Sequence, residues 1–316
     1  MAAISIGTLT DIEKTQYVKE ALKFAKYALI YRQFGQKDTV AKREGKTRQW
    51  VRFSIPAITS GTDFSGAATY VKNTTGVAPT FTPATPGTAT VSATADYLFG
   101  KGHEWNNGVE YTSFMDLEDN LRQVNAEHAG RAVDSETRDV LIAGTSVAYA
   151  NAKASRGLLD SNDKIDMADI FQSVTNLRNR SARPIDGKFT VAHSHNVTQR
   201  LLLDSTFQAA IANQKDYIFT GTIAELYGCR FVGTENAPTV SNSGSNNAVS
   251  TVEQTLIFGS DAYGVTHWMM NDYDLVYTGP GGWGDEWANR HALTWKMVHK
   301  PVILNDSWME RLESAR

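Results

Sequence analysis

His193 and His195 stand two residues apart at the end of an apolar run. On a continuing strand both would face one side, where two imidazoles can share a metal ion. No third ligand stands at a recognisable spacing, and a strand end leading into a helix over residues 197–203 is the simpler reading. Cys229 lies inside another apolar run, away from the helix N-terminus or cationic pocket that activates a thiolate, so it is expected to be buried and inert. DSNDKID at residues 160–166 opens like a calcium loop, but Lys164 stands where a ligand belongs and Ile165 where the sharp turn needs glycine. GPGGWG at residues 279–284 lacks the helix and Lys-Ser/Thr pair of a phosphate cradle and reads as a turn that lets Trp283 and Trp287 pack. Asp285 and Glu286 beside it are a weak cation signal. One covalent chemistry suits an assembling chain, a crosslink between Lys72 and an Asn such as Asn289 or Asn305 of a neighbouring copy, beside a carboxylate base in an apolar pocket. No acid, base and nucleophile converge at a diagnostic spacing, so the expectation is a non-enzymatic protein with no cofactor and no metal.

The elements around these residues are organised by one stretch, residues 114–143. Ser113 can cap its start with Asp116 three residues on, and Gly144 can end it in a left-handed turn. Phe114, Leu117, Leu121, Val124, Ala129, Val133 and Val140 recur near helical spacing, while Asp116, Glu118, Asp119, Arg122, Glu127, Asp134 and Glu136 fill the rest. The pattern predicts one long helix acting as a beam, broken at most at Gly130; a coiled-coil seam is the alternative, weakened by the absence of a strict heptad.

A chain of 316 residues can bury a sizeable core without staples, and its single cysteine excludes an internal disulfide. No apolar run reaches about 18 residues and the start lacks a secretion signal, so no membrane is expected as a partner. Charge is unevenly spread. Residues 1–52 hold 11 Lys or Arg against 5 Asp or Glu, which is +6 and leaves −9 for the remainder of a chain whose net charge is −3. A basic arm on an acidic body can touch a polyanion or a neighbouring copy, and an ordinary solvated helix face is the alternative.

Thr10 and Glu13 form a capping box opening an amphipathic helix over residues 11–34, with Lys14, Lys19, Lys23 and Lys26 on its polar face. Period-2 alternation then marks two strands, one with Val51, Phe53, Ile55 and Ala57, the other with Val91, Ala93, Ala95, Tyr97 and Phe99. The intervening residues 58–87 are too many for a hairpin loop. They suggest a long two-stranded arm whose apolar face, with Phe64, Tyr70 and Phe81, needs the surface of a second copy. A disordered loop and a loop folded back on its own domain are the alternatives. After a polar link, Asp166 caps a helix with Ile170, Val174 and Leu177. A turn at residues 184–187 precedes a strand to His193, residues 222–227 read as a helical turn, and residues 229–234 and 255–258 as strands. Residues 165–275 form a compact α+β domain, and a tail alternating through Leu293, Trp295 and Met297 returns to the beam helix.

That order resembles the major capsid proteins of tailed bacteriophages. The resemblance is carried by QFGQ at residues 33–36, GKTRQWVRFSIP at 45–56, RPIDGKFTVAHSH at 183–195, AELYGCRFVGTENA at 224–237, TLIFGSDAYGV at 255–265 and WKMVHKPVILNDSWMERLES near the end. It is most similar to head proteins with a short N-arm. The resemblance implies an α+β chain of HK97-like fold: residues 1–48 an N-arm, 49–105 an extended β-hairpin E-loop, 106–160 with 285–316 a peripheral domain holding the spine helix, and 161–284 a compact axial domain. It implies assembly into pentamers and hexamers in the host cytoplasm and a virion shell around double-stranded DNA held by non-specific charge contact. Val51, Phe53, Phe64, Tyr70, Phe81, Val91 and Tyr97 would touch other subunits. A portal, a separate scaffolding protein and a minor capsid or decoration protein are the further partners implied. An encapsulin-like compartment shares the architecture and would hold cargo protein instead.

Overall fold

The computed structural model describes residues 30–41, 44–54, 60–61, 70–71, 87–113, 116–205, 208, 225–242, 249, 251–268, 274–281 and 284–316. The basic helix with Lys14, Lys19, Lys23 and Lys26, the arm residues Phe64, Lys72 and Phe81, and Trp283 lie outside them; of Tyr70 only the backbone is described. The chain divides into two compact units, Met1–Lys46 with Ala95–Arg316, and Thr47–Thr94.

The smaller unit is a β-ribbon. Strands β2 (Thr47–Ser54) and β5 (Gly87–Thr94) pair antiparallel without a slip from Thr47↔Thr94 to Ser54↔Gly87, and the short strands β3 (Ser60–Gly61) and β4 (Tyr70–Val71) pair in parallel. The register corrects the expectation of one apolar face. Val51 stands opposite Thr90 and Phe53 opposite Thr88, while Val91 stands opposite Trp50. Directly opposed residues share a face, so Val51 and Phe53 project from one side of the ribbon and Val91 and Ala93 from the other. Each face therefore mixes an apolar row with a Thr- and Ser-rich or Arg-containing row. The second alternating run also breaks at Ala95, because Tyr97 and Phe99 belong to a separate strand of the larger unit, β6 (Asp96–Phe99).

Among the described residues the larger unit holds two sheets. In the first, the long strand β16 (Arg290–Ile303) is flanked on one edge by β14 (Tyr263–His267) and β15 (Asp274–Thr278), and on the other by β6 and β7 (His103–Asn106); β1 (Gln36–Thr39) joins β14 in parallel. Gly100 and Gly102 allow the chain to pass from β6 to β7 along β16. A Cβ on Gly100 would come within 1.9 Å of the Trp295 ring, and one on Gly102 within 2.6 Å of the Leu293 carbonyl. Alternate residues of β16 from His291 to His299 are buried, and Leu293, Trp295 and Met297 among them pack against the long helix.

That helix, α2 (Leu117–Ile142), follows the short α1 (Asn107–Thr112) and runs unbroken through Gly130 for about 39 Å. Its caps differ from those expected. Asp116 accepts from the Asp119 amide at 3.1 Å, whereas Ser113 ends α1. Gly144 has no positive φ; it is needed because a Cβ there would lie 2.7 Å from the Asp306 carboxylate. The buried stripe is Leu121, Asn125, Ala129, Val133, Asp134, Thr137 and Leu141, so three polar residues take core positions. Ala129 and Val133 pack on Trp295 and Met297, as the returning tail requires.

The second sheet has the order β10 (Glu225–Leu226), β11 (Cys229–Gly233), β9 (Phe189–His193), β13 (Thr251–Phe258), β17 (Met309–Ala315), β8 (Val147–Tyr149), with β12 (Thr239–Ser241) also pairing β13. One face carries Val191 and Ile257 against α3 (Met167–Asn179) and α4 (His195–Leu203); the other carries Ala192, Leu256 and Phe258 against Tyr31, Leu141 and Tyr263. Residues 225–230 form a hairpin, not the helical turn expected at 222–227, with Tyr227 and Gly228 at positive φ as a two-residue turn of this kind needs. The terminal strand β17 shares this sheet with strands from residues 189–258.

Helix α3 opens with a capping box, Asp166 accepting from the Asp169 amide at 2.8 Å. Burial, together with the Asp166 charge, raises the Asp169 carboxyl to about 6. The folded chain therefore holds a proton that the unfolded chain, titrating near 3.9, has released, and this contribution to stability is full below about pH 4 and lost as pH rises through 6. Asp169→Asn is expected to remove about 1–2 kcal/mol of the stability change between pH 4 and 7, after allowance for partial exposure. Urea unfolding of both proteins at the two pH values measures the difference; identical pH dependences would refute it.

Candidate functional site

The chemical candidates resolve into structural parts. His193 ends β9 with Nδ1 2.9 Å from the Ser194 carbonyl oxygen and 3.2 Å from the Thr198 hydroxyl, and His195 begins α4 behind the Ser194 cap. Burial lowers the His193 pKa. Cys229 is fully buried, and burial pushes its thiol up to about 11. Asp163 of the calcium-like segment is occupied by the Asp160 amide at 2.8 Å, Asn151 Nδ2 at 3.0 Å and Lys153 Nζ at 3.2 Å. Among the described residues no group of three or more His, Cys, Asp or Glu side chains is arranged to hold a metal ion, and no described helix is long and apolar enough to cross a membrane.

The outstanding surface feature is apolar. In the ribbon, Phe53 is 66% exposed and Val51 is exposed beside it. In the larger unit Tyr97 and Phe99 stand opposite Val298 and Lys296, on the face of the first sheet that α2 does not cover. Trp287, which the glycine-rich turn was expected to pack away, is instead 90% exposed.

Trp287 is presented by a hydrogen-bonded turn. The Asp285 carboxylate accepts backbone N–H groups of Gly281, Asn289 and Arg290 at 2.9 to 3.0 Å, bonds that hold its pKa below the usual carboxylate range and leave little for a cation. Asn107, the first residue of α1, donates its amide to the Asn289 carbonyl at 3.1 Å and its side-chain N–H to that of Ala288 at 3.1 Å, tying the turn to the helix that carries exposed Tyr111. Beneath lies the buried Trp105 ring, stacked on His291 at 5.3 Å with Tyr277 Oη 2.7 Å from His291 Nδ1. Large aromatics fixed on an ordered support lose little entropy when covered, the physical profile of an interface anchor. Reading Trp287 as one needed the three hydrogen bonds of Asp285, which no sequence pattern announces.

This architecture is the HK97-like fold of phage capsid proteins. Over its whole length the chain is similar to the capsid of Ralstonia phage GP4, with a TM-score of 0.70, 12% identity and coverage of 100% of this chain and 98% of that one. The capsid structure of cyanophage P-SCSP1u gives a TM-score of 0.67 at 14% identity, covering 98% and 94%. The capsid of cyanophage Pam1 gives 0.65 at 11% identity with both chains fully covered. No family model and no curated protein matches the sequence.

Proposed function

We propose that this chain is a major capsid protein of a tailed bacteriophage, assembling through pentamers and hexamers into an icosahedral head around double-stranded DNA. The observation that carries the reading is full-length agreement with phage capsid chains in both directions. The large aromatics left open in both units agree with it. In this reading Thr47–Thr94 is the E-loop, the residues before it the N-arm, α2 with the β16 sheet the body of the peripheral domain, and the α3 and α4 layer with the second sheet the core of the axial domain. The work is mechanical. Each subunit offers apolar area, worth about 25 cal/mol per Å² when covered, and repetition around the shell multiplies modest contacts. The +6 of the first 52 residues suits non-specific contact with nucleic acid. A portal, a separate scaffolding protein and a minor or decoration protein would complete a virion head built in the host cytoplasm.

The test is size-exclusion chromatography and negative-stain microscopy of the purified chain, alone and with its genomic neighbours, beside Phe53→Asp and Trp287→Ser. The wild type is expected to give closed shells, or capsomers that close with a scaffold. Interface anchors are typically worth about 2 kcal/mol or more, so each variant should lower shell yield at least about 10-fold while leaving the fold intact by circular dichroism. A wild-type chain that stays monomeric under every condition would overturn the proposal.

A further inference from the structure

The ribbon and the turn that presents Trp287 carry complementary surfaces. In the register of β2 and β5, Trp50 stands opposite Val91 and Arg52 opposite Ala89, so both project from the side away from Phe53. Trp50 is half-buried and Arg52 exposed. Their cross-strand partners are short, so the two long side chains rise above a low row. From Thr47 to Thr94 the sequence has Arg48, Arg52 and Lys72 against Asp63 alone, which makes the ribbon +2. Arg52 has no hydrogen bond or ion pair among the described residues.

The turn is the counterpart in charge. Trp287 is flanked by Glu286, which is exposed and likewise has no hydrogen bond or ion pair among the described residues. Exposed Tyr111 lies one turn of α1 beyond Asn107, the residue that ties this turn to the helix, and beside it Glu110 holds its carboxylate 3.1 Å from His291 Nε2. Arg290, the cation of this segment, is already bonded to Glu104. An open aromatic face beside a carboxylate suits a guanidinium, because the ring quadrupole attracts the cation and the carboxylate balances its charge.

We propose that the Trp50 and Arg52 face of one copy's ribbon lies on the Trp287 and Tyr111 surface of a second copy, the Arg52 guanidinium against the indole and Glu286 as its counter-charge. The contact rests on the shell-forming reading and names the surface that the ribbon covers. Nucleic acid would offer phosphates to Arg52, but Glu286 and Glu110 would repel it and Trp287 would stay open. A second copy covers both surfaces in one contact. Two different patches of one chain that fit each other make a heterologous contact, which repeats from copy to copy and closes into a ring where the rotation allows. Val51 and Phe53, on the opposite side of the ribbon, are left for another surface.

The test is a charge exchange in the full chain. Arg52→Glu, Glu286→Arg and the double variant are checked for folding by circular dichroism and for capsomers or shells by size-exclusion chromatography and negative-stain microscopy. Like charges set face to face weaken a contact strongly, so each single variant should lower assembled yield at least about 10-fold, and the double variant should return to within about 3-fold of wild type. Should the double variant fail to fold, Arg52→Cys combined with Glu286→Cys gives a second readout. A short bismaleimide should join that chain into a ladder of multimers on a denaturing gel, while either substitution alone leaves mainly monomer, because Cys229 is buried. Single variants that assemble like the wild type, a folded double variant no better than the singles, or the absence of a ladder would each overturn the contact and leave the capsid reading standing. A wild-type chain that never assembles would overturn both. Loss of DNA retention in Arg52→Glu with assembled yield unchanged would overturn it in favour of nucleic acid.

Discussion

Glu313→Ala is expected to destabilise the folded chain by about 3–5 kcal/mol, the range for breaking a buried, hydrogen-bonded ion pair. Glu313 is fully buried in β17, between Gln254 of β13 and Tyr149 of β8. Burial alone would raise its carboxyl. Arg156 Nε and Nη2 at 2.7 and 2.6 Å, Gln254 Nε2 at 2.9 Å and Arg311 Nε at 2.9 Å outweigh that and hold it below the usual range. The alanine strands these donors. Arg156 is a third exposed and can turn to water, but Arg311 is nearly buried, its Nη1 bonded to the carbonyls of Ile142 and Gly144 at the end of α2. One carboxylate thus ties the terminal strand, the segment after β8 and the end of the long helix. Because its pKa is depressed, its contribution is present above about pH 4.3 and fades as pH falls below that. Urea unfolding at pH 7 measures the loss, and a value under about 1 kcal/mol would refute the assignment.

Asp134→Ala is expected to cost about 3 kcal/mol and to free residues 30–34 at every pH. Asp134 Oδ1 accepts the amides of Ile30 at 3.0 Å and Tyr31 at 2.9 Å, and Oδ2 accepts Asn236 Nδ2 at 3.1 Å. Each buried N–H left without its acceptor costs about 1–3 kcal/mol, and Ile30 and Tyr31 are both buried. Thermal unfolding reads the cost and amide exchange reads the local effect. Unchanged exchange at Ile30 and Tyr31 would show that the Tyr263 hydroxyl, bonded to the Tyr31 carbonyl, suffices alone.

Wherever short-range spacing decides conformation, the residues declare it. The stripe from Leu121 to Leu141 makes a helix of residues 117–142, the Asp166 box starts the next, and β16 follows from alternation at Leu293, Trp295 and Met297. The order and spacing of these elements, with the stretches they contain, carried the resemblance to phage capsid proteins, because topology depends on order more than on any one side chain. Asp134 was placed on the polar face of its helix, since charge predicts exposure; only the approach of residues 30–31, more than a hundred positions away, supplies the amides that make its burial tolerable. Val51 and Val91 alternate correctly, yet one step of register sends them to opposite sides of the ribbon, and register is a property of the pair. Trp287 was expected to pack because tryptophans usually do, and the hydrogen bonds that keep it exposed link residues whose spacing carries no signal. Periodicity, which acts over a few residues, was therefore legible in the sequence, as was the Asp166 cap, whereas the caps of α2 depended on the neighbouring helix and on Asp306. Which charges are buried, which faces apolar rows occupy and which aromatics stay open were decided only when distant segments met, because desolvation and hydrogen bonding depend on what finally surrounds each group.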